Sequence, residues 1–417
     1  MLFQKILHNK NRQNFIIFLA KSYGITALSL IQVFILLKYL SVELFGQMQF
    51  ILSLIPILGI FTLHGADTAM IQLTANRKEY YFKTILRYRA SCSVIASIII
   101  LATQAYYYDT LSINLHVTLL IIAVFFPLSP IKMFASVLNG SKQISLLAKY
   151  EIIIKTLVIL IVCGAALQTD PNLSLLVLPS FLIPIVIYAF LAIRYDFGPQ
   201  EIKPENLKKE LSYVLKRSLT SLIPIIENKA DKIVIGLIYG FTDLGIFSVA
   251  KFAQEQLKTV LSTITNIILP LLTTCPKSEL KMRAKKYTFF ALLCTSLSAV
   301  VIAFGAEWLI NTFLFEKYGE SVQYLKLLVF GTLFAVPGTV KLFEKVATKN
   351  VKEEAYLRST ISMLYLLSLP FFLHIYGIFG VIYAVIFKCS CLTIIPYASD
   401  WFSRSNPNVQ ANNQNAN

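Results

Sequence analysis

The stretch that decides the fold runs from Glu227 to Lys258 and reads ENKADKIVIGLIYGFTDLGIFSVAKFAQEQLK. Two apolar helical arms flank a short turn, Gly240 to Gly245, and each arm is long enough to cross a bilayer. Both arms carry charges well inside their apolar sequence. Glu255 is predicted to lie roughly 15 Å from the turn, near the middle of a hydrocarbon core about 30 Å thick. Charges at that depth normally face a bundle interior or a water-filled path, so the stretch predicts a transport protein.

The composition agrees with a membrane protein. The 417 residues are 56% hydrophobic and 14% charged, with a mean hydropathy of +0.66, whereas a soluble domain has about 25% charged residues. The net charge of +16 would suggest nucleic acid as the partner of a soluble protein. Here the positions of the charges, given below, argue against a nucleic-acid partner.

Apolar runs predict an all-α membrane protein with twelve transmembrane helices. The predicted spans are 14–37, 47–73, 88–108, 114–138, 147–167, 173–194, 216–239, 245–272, 287–310, 322–341, 357–375 and 378–402. We expect two six-helix lobes, 1–205 and 206–402, followed by a disordered cytoplasmic tail, 403–417. The longest internal segment, 194–217, is predicted to contain an interfacial amphipathic helix that leads into the seventh span.

The connecting segments predict the orientation. Placing the N-terminus in the cytoplasm puts 27 Lys and Arg residues in internal segments and leaves only Lys38 and Lys317 in external ones. This asymmetry over short loops predicts that both termini are cytoplasmic, and it accounts for the high net charge without a nucleic-acid partner.

Sequence signals for enzyme chemistry are missing. No external segment exceeds about a dozen residues, and no hydrolase triad, P-loop or metal-ligand spacing is present. The six cysteines have neither CxxC nor zinc spacing and are expected to act as small hydrophobic residues. The sequence therefore predicts a transporter without cofactor or metal.

The two halves also show signs of an internal repeat. The first two spans join through LSVELFGQMQF and the seventh and eighth through GFTDLGIFSVAKF, which places Gly46 and Gly245 in equivalent positions. Six spans per half give both halves the same orientation, as in parallel transporter repeats.

The segment from Ala230 to Phe252 resembles the signature of the seventh and eighth helices of polysaccharide flippases, with an Asp before an apolar span, a short turn and then Gly-x-Phe-x-x-Ala. LSVELFGQMQFILSL resembles the equivalent element of the first half, and Pro270 matches the usual end of the eighth span. The chain is thus similar to the O-antigen (Wzx-type) flippases of the multidrug/oligosaccharidyl-lipid/polysaccharide (MOP) exporter superfamily.

The resemblance implies a MOP/MATE-like fold around a cationic cavity. It implies flipping of undecaprenyl-diphosphate-linked oligosaccharide, such as O-antigen repeats for lipopolysaccharide, from the cytoplasmic to the periplasmic leaflet of the bacterial inner membrane. The implied partners are this substrate, membrane lipids, a coupling ion (H⁺ or Na⁺), and polysaccharide polymerase and chain-length proteins.

Lysines within the spans are the predicted contacts for the anionic head group, because a diphosphate crossing a bilayer needs fixed positive charge. These residues are Lys229, Lys232, Lys251, Lys258 and Lys388. The predicted charge-balancing or coupling residues are Glu227, Asp231, Glu255 and Asp67. The alternative is that the acids neutralise the lysines in structural ion pairs that fix helix packing.

Two other pairs have competing interpretations. Asp67 and His64 in the second span suit a coupling proton, but a bundle hydrogen bond near the cytoplasmic end is the favoured reading. Glu151 and Lys155, four residues apart in the fifth span, predict an intrahelical ion pair. Lys132, nearer the cytoplasmic end of its span, is expected to snorkel to the interface.

The main rival function is a multidrug/cation antiporter of the same superfamily. A drug-cation site would need an acidic, aromatic pocket, whereas the span interiors hold more Lys than Asp and Glu. A membrane glycosyltransferase or polymerase would need a large polar loop, and a scaffold without transport activity would not need charges in the middle of the membrane.

Overall fold

The computed structural model describes residues 9–106, 112–197, 204–273, 279–347 and 351–405, and every regular element in those ranges is a helix. The prediction of an all-α fold is therefore confirmed for this part of the chain. Internal contacts divide the chain into two compact units, Met1–Lys229 and Ala230–Asn417. The two lobes with a boundary between residues 205 and 206 stay a prediction.

Apolar runs separated by polar turns form the helices of the first unit. They are α1 (Asn9–Tyr39), α2 (Val42–Leu58), α3 (Gly65–Ala75), α4 (Phe82–Tyr106), α5 (Ile113–Phe125), α6 (Phe134–Gly140), α7 (Ile144–Ala166), α8 (Leu173–Arg194) and the first part of α9 (Pro204–Ile238). The Ser41 hydroxyl caps α2 by accepting a hydrogen bond from the Leu44 amide at 3.2 Å. In the core, the Phe82 ring stacks on Phe197 at 4.7 Å and meets the Phe134 ring edge-on.

The predicted second span, 47–73, is not one continuous helix. A 3-10 turn over Gly59–Thr62 and a left-handed Leu63 (φ 53°) separate α2 from α3. The Thr62 carbonyl, which the break removes from the helical ladder, accepts a hydrogen bond from Arg89 Nε at 2.7 Å. A broken helix is tolerated at membrane depth where its backbone groups find partners inside the protein.

The second unit begins in the last part of α9. Its further helices are α10 (Phe241–Thr273), α11 (Leu280–Phe313), α12 (Phe315–Tyr318), α13 (Ser321–Thr332), α14 (Val336–Ala347), α15 (Val351–Tyr376) and α16 (Ile378–Ser405). The turn between α9 and α10 is shorter than the predicted Gly240–Gly245, because α10 already begins at Phe241. Gly240, at φ 93°, supplies the left-handed conformation that this tight connection needs.

Two other predicted spans are interrupted. A 3-10 segment, Phe126–Met133, separates α5 from α6 in span 114–138, and Leu333–Ala335 separates α13 from α14 in span 322–341. Pro127 in the first segment has no backbone N–H and so cannot donate to a continuous ladder.

Close backbone contact holds α14 against α16. A Cβ atom on Gly338 would lie 1.9 Å from the Leu392 carbonyl oxygen, so only glycine fits there. The Gly338 amide also donates to the Thr393 hydroxyl at 3.1 Å.

The interfacial helix predicted within 194–217 is not a separate element. Residues 204–217 form the beginning of α9, which runs without a break to Ile238. Within the first unit this part of α9 packs directly on α3, since a Cβ atom on Gly65 would lie 2.3 Å from the Ser218 nitrogen. The tail also starts later than predicted, because α16 continues to Ser405, and residues 406–417 lie outside the described ranges.

Eight helical segments in the described ranges are long and apolar enough to cross a membrane. They are Val42–Thr62, Glu79–Tyr106, Ile113–Gly140, Leu173–Arg194, Met282–Phe313, Ser321–Val346, Glu353–Tyr376 and Ile378–Asp400. Their windows are only 22% to 61% buried inside the protein, which leaves wide apolar faces that suit lipid. The remaining predicted spans also fall on helices, but α1 has only a short apolar stretch, Gly24–Tyr39. The total of twelve spans therefore stays a prediction.

Candidate functional site

A buried ion pair lies at the centre of the charged stretch. Lys251 Nζ on α10 is 2.5 Å from Asp231 Oδ2 on α9, and the two side chains are only 6% and 1% exposed. Asp231 Oδ1 accepts a hydrogen bond from the Lys232 amide at 2.8 Å. The short turn at Tyr239 and Gly240 folds α10 back on α9 and brings these positions together. For Lys251 the structure therefore adopts the predicted alternative, neutralisation by an acid.

One turn further along α10, Gln254 is fully buried. Its amide nitrogen donates to the Thr332 hydroxyl at 2.9 Å, at the end of α13 where the tenth predicted span is interrupted. The sequence analysis did not single out this residue. Its position three residues after Lys251, on the same helix face, was the available signal.

Lys258 and Lys388 lie in the same region of the second unit. Lys258 is within electrostatic range of Lys251, Asp231 and Glu255. Lys388 Nζ on α16 lies 5.1 Å from the centre of the Tyr365 ring, a cation–π contact inside the protein. The Tyr365 hydroxyl is in turn within electrostatic range of Asp231, which links the lysine of α16 to the charges of α9 and α10.

The predicted site residues are divided between the two units. Glu227, which is buried, and Lys229, which is half-buried, precede the division at 229/230. The second unit contains the other lysines of the prediction, Lys232, Lys251, Lys258 and Lys388, together with Asp231 and Glu255. Four lysines against two carboxylates leave an excess of positive charge among these residues, which can attract an anion.

Asp67 has a partner that the sequence analysis missed. Arg89 Nη1 on α4 lies 2.6 Å from Asp67 Oδ1, and the arginine is 4% exposed. The same guanidinium bonds to the Thr62 carbonyl, so it joins both sides of the break in the second span. His64 Nδ1 is 3.6 Å from Asp67 Oδ2, and both of these side chains are more exposed than Arg89. The sequence analysis had counted Arg89 as a cytoplasmic loop residue, which concealed it.

A second charged cluster joins α14, α15 and α16 at one end of the second unit. Asp400 accepts from Lys341 at 2.6 Å and from Lys345 at 2.7 Å, and Lys345 also reaches Glu353 at 2.5 Å. Both lysines are less than a tenth exposed. The sequence analysis assigned these lysines to a basic loop, whereas the structure uses them to tie three helices together.

One charge pair lies outside the spanning segments. Lys78, between α3 and α4, donates to Glu210 Oε1 on α9 at 2.9 Å. This hydrogen bond and the charge of Glu210 raise the pKa of Lys78. In the described ranges, no group of three or more His, Cys, Asp or Glu side chains could hold a metal ion.

Comparisons with known proteins agree with these features. The family model described as "polysaccharide biosynthesis protein" matches residues 35–323, more than half of the chain. No curated protein sequence matches it.

Solved structures of transporters share the fold. An inward-facing multidrug-resistance MATE-family transporter of the MOP superfamily is 14% identical with a TM-score of 0.65, over 91% of this chain and 94% of that one. The lipid II flippase MurJ in an inward closed conformation is 15% identical with a TM-score of 0.67, over 92% of this chain and 87% of that one. The Vibrio cholerae MATE transporter VcmN, as a mutant, is 14% identical with a TM-score of 0.54, over 95% and 97%. At these identities the likeness shows the fold, which is that of the MOP exporters.

Proposed function

The chain belongs to the polysaccharide biosynthesis protein family, and from that membership we propose that it flips lipid-linked oligosaccharide across the bacterial inner membrane. The substrate is an undecaprenyl-diphosphate-linked unit such as an O-antigen repeat, and it moves from the cytoplasmic to the periplasmic leaflet by alternating access. Polysaccharide polymerase and chain-length proteins would take over the product.

The observation that carries this proposal is the excess of lysine in the buried charged region of the second unit. Lys251 is neutralised by Asp231. Lys258 and Lys388 lie close to the same pair, and Glu255 is the one further carboxylate among the predicted site residues. Lysine holds a phosphate as a point charge without rigid geometry, which suits a group that must be bound and then released.

We further propose that twelve spans cross the membrane and that both termini are cytoplasmic. The 27-to-2 asymmetry of Lys and Arg between the two sets of segments supports this topology. A reporter enzyme that is active only in the periplasm should be silent when fused at Asn417 and active near Asp170 and Asp243. Activity at Asn417 would mean that the span count is wrong by an odd number.

An ion gradient, of H⁺ or Na⁺, or consumption of the product would drive transport, since the sequence has no P-loop. ATPase activity of the purified single chain that depends on the head group would contradict this form of energy coupling.

A multidrug/cation antiporter is the second candidate, because MATE transporters share the fold. The lysine excess disfavours it, since a cationic drug would meet repulsion at this site. The two functions separate in one strain that lacks both its glycan flippase and its drug exporters. Expression of this chain should restore surface glycan and leave ethidium sensitivity unchanged, whereas the opposite result would establish the antiporter.

The site is tested by replacing the lysines that no carboxylate within 4 Å neutralises. We expect Lys258→Met and Lys388→Met to reduce glycan export at least tenfold at unchanged protein level, and Lys258→Arg to retain partial export. Lys326→Met is the matched control, because Lys326 is 42% exposed and pairs with Glu307 away from this region. Normal export by both lysine variants would remove the site from the proposal.

A further inference from the structure

A cavity of about 360 Å³ lies within the first unit, between α1, α7 and α8. Half of its eight lining residues are polar and half are apolar. The polar residues are Glu151 and Lys155 of α7 and Ser180 and Tyr188 of α8, and Ile25 and Pro184 are among the apolar ones. The volume falls in the range of roughly 300–1,000 Å³ that is typical of small-molecule sites.

The cavity lies at the depth of the membrane interior. Lys155 follows the first residue of α7 by eleven positions, which corresponds to about 16 Å along the helix axis. Its ammonium donates to Gln32 Oε1 of α1 at 2.8 Å, and this bond fixes one wall of the cavity. Tyr188 is within electrostatic range of Glu151, so the hydroxyl and the carboxylate lie in one region of the wall.

The charges of the cavity select the kind of ligand. Glu151 and Lys155 are four residues apart on one helix face and together carry no net charge. A free organic cation would meet the ammonium of Lys155, and a diphosphate would meet the carboxylate of Glu151. A hydrocarbon tail would leave the polar groups of the wall without water or partners, which is unfavourable.

A sugar ring satisfies all of these groups. Its hydroxyls can donate to the Glu151 carboxylate and accept from the Lys155 ammonium, and the Ser180 and Tyr188 hydroxyls can do either. The apolar side chains suit the C–H faces of the ring. We propose that this cavity is a subsite for one sugar residue of the glycan, and this inference rests on the proposed flippase function.

The assignment divides substrate recognition between the two units. The lysine-rich region of the second unit has the charge to attract the diphosphate, whereas the neutral cavity of the first unit recognises the glycan. Loss of the cavity contacts should therefore remove discrimination between glycosylated and bare lipid without removing affinity for the diphosphate.

The experiment measures binding of two probes to the purified full chain in lipid nanodiscs. The probes are undecaprenyl diphosphate and undecaprenyl-diphosphoryl-N-acetylglucosamine. We expect the wild-type chain to bind the glycosylated probe at least tenfold more tightly. Tyr188→Phe and the double variant Glu151→Gln/Lys155→Met, which keeps the cavity neutral, should each lower this ratio by about tenfold, the effect of one lost hydrogen bond to a charged group or a sugar hydroxyl. Ser180→Ala, the smallest change, provides a further variant should the double variant not fold.

The control is Leu160→Ala, which alters α7 on a side chain that is 65% exposed and does not line the cavity. Equal affinities of the wild-type chain for the two probes, or an unchanged ratio in all cavity variants, would overturn the sugar subsite while leaving the flippase intact. Weaker binding of the bare lipid by the cavity variants would instead assign the cavity to the isoprenoid tail. Failure of the wild-type chain to bind either probe would overturn both the subsite and the proposed function.

Discussion

Replacement of Lys251 by methionine tests the buried ion pair most directly. The change leaves Asp231, only 1% exposed, without its ammonium partner at 2.5 Å. Coulomb attraction at this distance is about 7 kcal/mol at an effective dielectric constant of about 20. Desolvation offsets part of it, and removal of one partner of a buried pair typically costs about 3–5 kcal/mol. We therefore expect Lys251→Met to lower the free energy of unfolding by about 3–5 kcal/mol.

The measurement is equilibrium unfolding of the purified chain in mixed micelles, beside the double variant Lys251→Met/Asp231→Asn. The asparagine keeps an oxygen for the Lys232 amide but removes the buried charge, so the double variant should recover most of the loss. Lys326→Met is the matched control. Its ammonium lies 2.6 Å from Glu307, but the two side chains are 42% and 23% exposed, and the expected cost is at most about 1 kcal/mol.

A cost for Lys251→Met no larger than that of the control would refute this reasoning, because it would mean that water reaches Asp231. The same result would favour Lys251 as a direct contact for substrate. Glycan export by the double variant then separates the two roles. Normal export would show that the pair is structural, whereas lost export in a stable double variant would show that the charges act on the substrate.

Further predictions concern packing and the broken second span. Gly338→Ala should destabilise the protein by more than about 3 kcal/mol and lower its melting temperature, since the new Cβ atom would lie 1.9 Å from the Leu392 oxygen. Gly305→Ala, where no atom lies within 4 Å, should be neutral or stabilise by about 0.5–1 kcal/mol, and equal effects at the two glycines would contradict the contact. Arg89→Lys should cost about 2–3 kcal/mol in the same unfolding measurement, because an ammonium cannot bond to Asp67 and the Thr62 carbonyl with the geometry of a guanidinium. A neutral Arg89→Lys would show that the break is held by other contacts.

The sequence by itself determined the class of the protein. Long apolar runs with few charges require a helical membrane fold, because backbone groups in lipid must be satisfied within each segment. The stretch around Asp231 and Lys251 was recognisable for the same reason, since charge at that depth is costly and needs a purpose. The family resemblance of this stretch agrees with the family that matches residues 35–323.

Tertiary structure alone decided which charges neutralise each other. The spacing of residues along one helix cannot show that Lys251 meets Asp231 on another helix, or that Arg89 crosses from α4 to Asp67. The break at Leu63 was equally hidden, because hydropathy depends on composition and not on backbone conformation. Distances between helices follow from packing, and packing depends on residues far apart in the sequence, such as Gly338 and Leu392.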